Sequence, residues 1–237
     1  MIKEILAPLK ELVFPNFCAC CKVPLEDHSS RLCTQCLNSI EPIYAPICNI
    51  CGRPFISKEQ DSHVCGDCIL RAPIYVLKRS PFVYKGAIKE LIISFKYFYN
   101  FLSFSALIEV FNRLEFDLDI LDSDVVIPVP LHLKRLRQRG FNQATLIAKK
   151  IFKDIPISFD SLLRIKDTPH QMGLKKQERL KNISGAFKVV RKKDIESKRV
   201  LLVDDVVTTG ATINECSKEL LNSGAKEVKI FSLAQAI

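Results

Sequence analysis

The sequence predicts an α/β protein, a doubly wound and mostly parallel sheet preceded by a small cysteine-rich zinc-ribbon module. Three observations carry this. Nine of the ten cysteines fall between residues 18 and 68. Beyond about Pro73, short β-branched runs alternate with segments of helical periodicity, the pattern of parallel strands joined by crossover helices. One such run, Val200 to Val203, leads into Asp204 and Asp205 and then a turn of small and hydroxyl-bearing residues, Val207, Thr208, Thr209, Gly210, Ala211 and Thr212. Sheets of this kind carry their ligands at that end of a strand. The 237 residues suffice for one full-sized core and a smaller appendage.

Among the first fourteen residues, Ile2, Ile5, Leu6, Leu9 and Val13 fall at helical spacing, with Glu4 and Glu11 among them. This predicts a short docking helix and no secretory leader. No apolar run approaches the roughly eighteen residues of a membrane span, so a cytoplasmic address is expected. In a reducing compartment, crowded cysteines read as metal ligands and not as a disulfide framework. They form four Cys-x-x-Cys pairs, and two such turns complete a tetrahedron around zinc. Sequential pairing groups Cys18, Cys21, Cys33 and Cys36, then Cys48, Cys51, Cys65 and Cys68, with gaps of eleven and thirteen residues between pairs. An interleaved pairing is the alternative. Four-thiolate sites leave no open coordination position, so about two structural zincs are expected. They would supply folding free energy that a short Pro- and Cys-rich segment cannot draw from a core. Cys20 is surplus, and His28 and His63 lie near the ligands without being needed. The boundary falls between a first domain at 1–72 and a second at 73–237.

In the second domain, Phe82 to Tyr84 predicts a short strand and Ile88 to Phe111 one or two helices. The aromatic run from Phe95 to Phe101 reads as core, with stacking of exposed bases as the alternative. Val125 to Val129 predicts a buried strand. The loop after Pro130 carries Lys134, Arg135, Arg137 and Arg139 before Gly140, a set of donors suited to a pyrophosphate, with a solvated basic helix start as the alternative. A helix from Asn142 to Phe152 and strand signals at Ile157 to Ile165 follow. A second loop lacks periodicity and reads as a hinged flap, with Gln171 and Arg179 as candidates to reach the ligand and packing or solvent exposure as the alternative. After the Val200 strand come a helix from Ala211 to Asn222, stopped at Gly224, and a strand from Val228 to Leu233. Paired carboxylates at a strand end can accept hydrogen bonds from both hydroxyls of a ribose. The turn behind them can cradle a phosphate with backbone amides and the positive end of the next helix. The net charge is +9, and it is unevenly placed: residues 125–199 hold 19 Lys and Arg against 6 Asp and Glu, whereas residues 1–72 hold 7 against 8. The excess makes the second domain the electrostatic footprint for a nucleic acid, with a solvated basic face as the alternative.

The segment L-L-V-D-D-V-V-T-T-G-A-T resembles the PRPP-binding signature of type I phosphoribosyltransferases. That resemblance implies that Asp204 and Asp205 bind the ribose diol and that Thr208 to Thr212 bind the 5'-phosphate, with magnesium accompanying PRPP. Transferases acting on 6-oxopurines carry an Asp at the first position of this turn, where Thr208 stands here, so a 6-oxopurine acceptor is disfavoured. The motifs P-V-P-L-H-x-x-R-x-x-x-R-G-F-N-Q-A, T-P-x-Q and R-L-K-N-I-S-G-A-F precede it. In that order, behind the cysteine pairs, they resemble the ComF family of competence-associated proteins over essentially the whole chain. The resemblance implies a role in natural transformation, with PRPP, single-stranded DNA and other proteins of DNA uptake or recombination as partners. The alternative is a metabolic phosphoribosyltransferase that moves ribose 5-phosphate from PRPP to an amine or nucleobase.

Overall fold

The computed structural model describes residues 16–25, 29–55, 61–114, 116, 122–167 and 183–237. The expected amino-terminal helix, His28, Gln171 and Arg179 lie outside them. Seven strands are described: β1 (Leu77–Arg79), β2 (Phe82–Val83), β3 (Val125–Pro128), β4 (Leu162–Arg164), β5 (Phe187–Val189), β6 (Arg199–Val207) and β7 (Glu227–Gln235). The helices are α1 (Thr34–Asn38), α2 (Gly66–Leu70), α3 (Gly86–Phe98), α4 (Phe101–Asn112), α5 (Leu133–Arg139), α6 (Gln143–Ile151) and α7 (Ala211–Asn222).

The main sheet is wholly parallel. β7 lies between β6 and an edge made of β1 and β2, and β3 pairs with the far side of β6. β6 and β7 read as near-continuous apolar runs because helices cover both faces, as parallel sheets require. Val200, Leu202, Val228 and Ile230 are fully buried and face α7 through Ile213, Cys216 and Leu220. Successive side chains alternate faces, so Phe231 points the other way, where it meets Phe152 behind α6 edge-on at 5.0 Å between ring centroids. The edge strand breaks at Ser80 and Pro81: Pro81 has no N–H for a ladder, and its carbonyl accepts the Ile43 amide at 2.8 Å. Asn142 caps α6, its Oδ1 accepting the Ala144 amide at 3.0 Å, while its Nδ2 donates to the Val129 carbonyl at 2.9 Å and ties the helix to the end of β3.

Four features depart from the sequence expectation. β6 continues to Val207, so Asp204 and Asp205 lie inside the strand and not beyond its end. The basic loop folds as α5. Of the Ile157–Ile165 signal, Ile157 alone bridges to Val126, whereas β4 pairs antiparallel with β5 in a separate two-stranded sheet. The aromatic run is core only at Phe95, which stacks on Phe104 at 4.8 Å and meets Phe101 edge-on at 5.8 Å. Tyr97, Phe98, Tyr99 and Phe101 are exposed, by 41 to 74%. The buried stripe of α3 (Ile88, Leu91, Ile92, Phe95) ends there, and Tyr99 turns left-handed at φ 55° before Asn100 caps α4.

The chain forms two compact units, each built from two segments: Met1–Glu41 with Lys85–Glu115, and Pro42–Tyr84 with Phe116–Ile237. The first holds the first four paired cysteines, α1, α3 and α4. Within it Arg31 pairs with Glu109 at 2.8 Å and Lys85 with Glu41 at 2.6 Å. The second holds the other four cysteines, α2 and both sheets. Among the described residues no helix is long and apolar enough to cross a membrane.

Candidate functional site

The carboxyl ends of β3, β6 and β7 share one edge of the sheet. From β6 the chain leaves through an exposed Thr208 and half-buried Thr209 into Gly210, which caps α7 at φ 77°. A residue with a Cβ would strain this left-handed position by about 1–2 kcal/mol. The first amides of the twelve-residue α7 have no intrahelical acceptor and lie, with the helix's positive end, at this turn. The arrangement can take an anion.

Inside β6 the two carboxylates face opposite sides. Asp205 is 7% exposed, whereas Asp204 is half-buried and its Oδ1 accepts the Asp205 amide at 2.8 Å. Asp204 lies near Cys216 and Arg164. Burial first, then Asp204, pushes the Cys216 thiol well above its ordinary value. Burial and then Arg135 lower the Arg164 guanidinium, and Asp204 opposes them. Arg164 is 9% exposed, sits over the Phe187 ring at 5.6 Å, and comes from β4 by a bridge to His132. Sequence reasoning missed it, and an Arg closing the apolar Ser-Leu-Leu run is the available signal. It also missed Gln143, the first residue of α6, which is 2% exposed and whose Nε2 has no hydrogen-bond partner among the described residues.

On α5 the four cations divide by face. Arg135 and Arg139, one turn apart, are half-buried, and Arg135 is the pair's link to Arg164. Lys134 and Arg137 are exposed, and Lys134 pairs with Asp167 at 3.2 Å, holding that carboxyl below its usual range. A cavity of about 260 Å³ opens beside the phosphate-type turn. One wall is Thr208, Thr209, Gly210 and Asn214; the opposite wall is the segment of the second cysteine group.

The eight paired cysteines gather sequentially. Cys18, Cys21, Cys33 and Cys36 bring their Sγ atoms within 4.8 Å of one another, as do Cys48, Cys51, Cys65 and Cys68. The Cys21–Cys33 and Cys51–Cys65 Sγ separations are 3.6 and 3.7 Å. A tetrahedron with zinc–sulfur bonds of about 2.3 Å has edges of about 3.8 Å, so the donor set fits zinc. Backbone amides prepare the thiolates: Cys33 donates to Cys18 Sγ at 3.4 Å, and Cys51 and Cys65 donate to Cys48 Sγ at 3.4 and 3.3 Å. Burial raises both thiols, but the amides outweigh it and hold each at about 6. Burial and neighbouring thiols push Cys36 and Cys68 up instead, a crowding that a divalent ion relieves. Cys20 and His63 stand outside the tetrads; His63 stacks on Phe55 at 4.0 Å.

Two known families match separate stretches of the chain. A double zinc ribbon domain family matches residues 9–69, and a phosphoribosyl transferase domain family matches residues 136–236. Competence protein F of Haemophilus influenzae is 32% identical over 231 residues, covering 94% of this chain and 99% of that protein. Competence protein ComFC of Bacillus subtilis is 31% identical, covering 87% and 85%. The DNA utilization protein YhgH of Escherichia coli is 28% identical, covering 95% and 100%. With two cysteine tetrads ahead of a phosphoribosyltransferase fold, and relatives aligned along nearly their full lengths, the chain belongs to the ComF family.

Proposed function

We propose that this protein binds PRPP with magnesium at the carboxyl end of β6 and handles single-stranded DNA in the cytoplasm during natural transformation. The observation that carries the reading is the strand–turn–helix itself: carboxylates on β6, a Thr-Thr-Gly turn, and the positive end of α7 within one short segment. The relatives' names, competence proteins and a DNA utilization protein, support the DNA role.

In this reading Asp204 and Asp205 serve the ribose diol, and Asp204, half-exposed beside Arg164, carries the larger share. Val207 to Thr212 hold the 5'-phosphate. Arg135 and Arg139 face the pyrophosphate, whose charge magnesium offsets. Lys134 and Arg137, on the open face of α5, meet the DNA backbone, and Gln171 and Arg179 are the candidates of the second loop for ligand contact. Other proteins of DNA uptake or recombination complete the partners. Residues 1–72 and 73–237 are read as the two sequence domains, and each compact unit draws on both of them.

Calorimetry with PRPP and magnesium tests the site. Asp204→Asn should weaken binding at least about tenfold, the scale of a hydrogen bond to a charged group. Asp205→Asn should weaken it less, and affinity unchanged in the double variant would refute the assignment.

A further inference from the structure

We propose that the second cysteine ribbon is a wall of the phosphate site. In this arrangement Arg53, Arg71 and Lys78 face the phosphate monoester held by the Thr208–Gly210 turn, and metal at Cys48, Cys51, Cys65 and Cys68 fixes where those cations stand. The inference rests on reading that turn as a phosphate site.

The cavity beside the turn is lined on its far side by these three cations together with Cys51, Cys68 and Asp67. Lys78 is the telling residue. It is 7% exposed, and its ammonium donates to Gln235 Oε1, a neutral carboxamide and its only side-chain partner among the described residues. The ammonium stands on the cavity wall within electrostatic reach of the Cys51, Cys68 and Cys48 thiols. An anionic ligand in the cavity would be a second counter-charge to it. The position suits one: Gln235 pairs in register with Val207, the residue from which the turn departs.

The ribbon is fixed to this spot through backbone. Lys78 N–H donates to the Ile50 carbonyl at 2.6 Å, and Gln235 Nε2 donates to the Gly52 carbonyl at 2.6 Å. Gly52 sits at φ 62°, and a Cβ there would come within 2.6 Å of the Lys78 carbonyl. The Cys48–Cys51 turn and the strand bearing Lys78 therefore move as one piece. Arg53 follows Cys51 by two residues and is oriented by Asp67 at 2.7 Å; Arg71 follows Cys68 by three and stands exposed at the rim. Four thiolates around a divalent ion leave a formal charge of about −2. With Asp67 this would repel a phosphate, and the three cations cancel it. The acidic composition of residues 1–72 hides this local balance.

The test uses the full-length, zinc-loaded chain with two probes, PRPP and ribose 5-phosphate, the second lacking the pyrophosphate. Arg71→Ala and Lys78→Met should each bind both probes at least about tenfold more weakly, with zinc content and melting temperature measured alongside. Arg71→Ala, at the exposed rim, decides the matter if Lys78→Met does not fold. Unchanged affinity in Arg71→Ala overturns the inference and leaves the PRPP reading standing. Lost zinc with unchanged affinity also overturns it, because the cations would then serve only the metal cluster. A loss confined to PRPP would put them on the pyrophosphate and overturn it likewise. Wild-type protein that binds neither probe overturns the PRPP reading and this inference together.

Discussion

Gly52 and Gly210 share a left-handed backbone but have different surroundings. At Gly210 an added Cβ would find Asn214 Nδ2 at 3.5 Å, an ordinary separation, whereas at Gly52 it would strike backbone at 2.6 Å. Gly210→Ala should therefore cost only the conformational strain, about 1–2 kcal/mol. Gly52→Ala adds a clash that neither backbone can avoid, and should cost about 3 kcal/mol or more with weakened metal retention. Denaturant unfolding with zinc analysis checks both; equal costs would refute the distinction. Asp124 gives a pH dependence. Its Oδ2 accepts the Arg199 amide at 2.8 Å and Nε at 3.2 Å, and its Oδ1 accepts Nη2 at 2.8 Å. These hydrogen bonds hold its carboxyl well below the usual range. A carboxyl lowered by folding stabilises fully above its unfolded value of about 3.9 and loses that contribution as pH falls below it. Arg199→Met should be less stable than wild type at pH 5, with the gap narrowing toward pH 3. A constant gap in urea midpoints would show that the pair does not titrate with folding.

α5 separates the two proposed charges of the basic segment. Arg135→Glu with Arg139→Glu should abolish PRPP binding, while Lys134→Glu with Arg137→Glu should spare it. The second pair should instead lower the salt slope of single-stranded DNA binding by at least about 0.7 for each phosphate no longer neutralised. Titrations at several salt concentrations read this directly, and equal effects of the two pairs on both ligands would refute the division by face. Each of these cations was readable in the sequence; the seven-residue helix that sorts them was not. Pro130 and Gly140 bracket the segment as turn signals, and its helicity depends on the His132 cap and the Gly140 stop at φ 72°. β6 was underestimated for a related reason. Its two carboxylates interrupt the apolar signal, although Val206 and Val207 resume the strand. β5, three residues long, offers no periodicity. The cysteine tetrads were readable because a metal knuckle is local chemistry. Arg164, Gln143 and the ribbon's cations were not, because distant segments bring them to the site.

The two tetrads fall in different compact units, so metal bears on each unit separately. Metal analysis should return two zincs per chain, and a value of one would mean that one tetrad folds without metal. Chelation should loosen both units, visible as two losses of hydrogen-exchange protection. β7 has a further consequence, in the order of synthesis. It lies in the middle of the main sheet yet follows every other strand along the chain, and its partner β1 precedes it by about 150 residues. At translation rates of about 5–20 residues per second, β1 waits roughly eight to thirty seconds for the strand it pairs with. A message cut before codon 227 would therefore leave the β3–β6 pair without β1. It would yield two bare edges on the nascent chain, β1 with its docked ribbon and β6 with its turn, and such a product is fit for aggregation or proteolysis and not for partial activity.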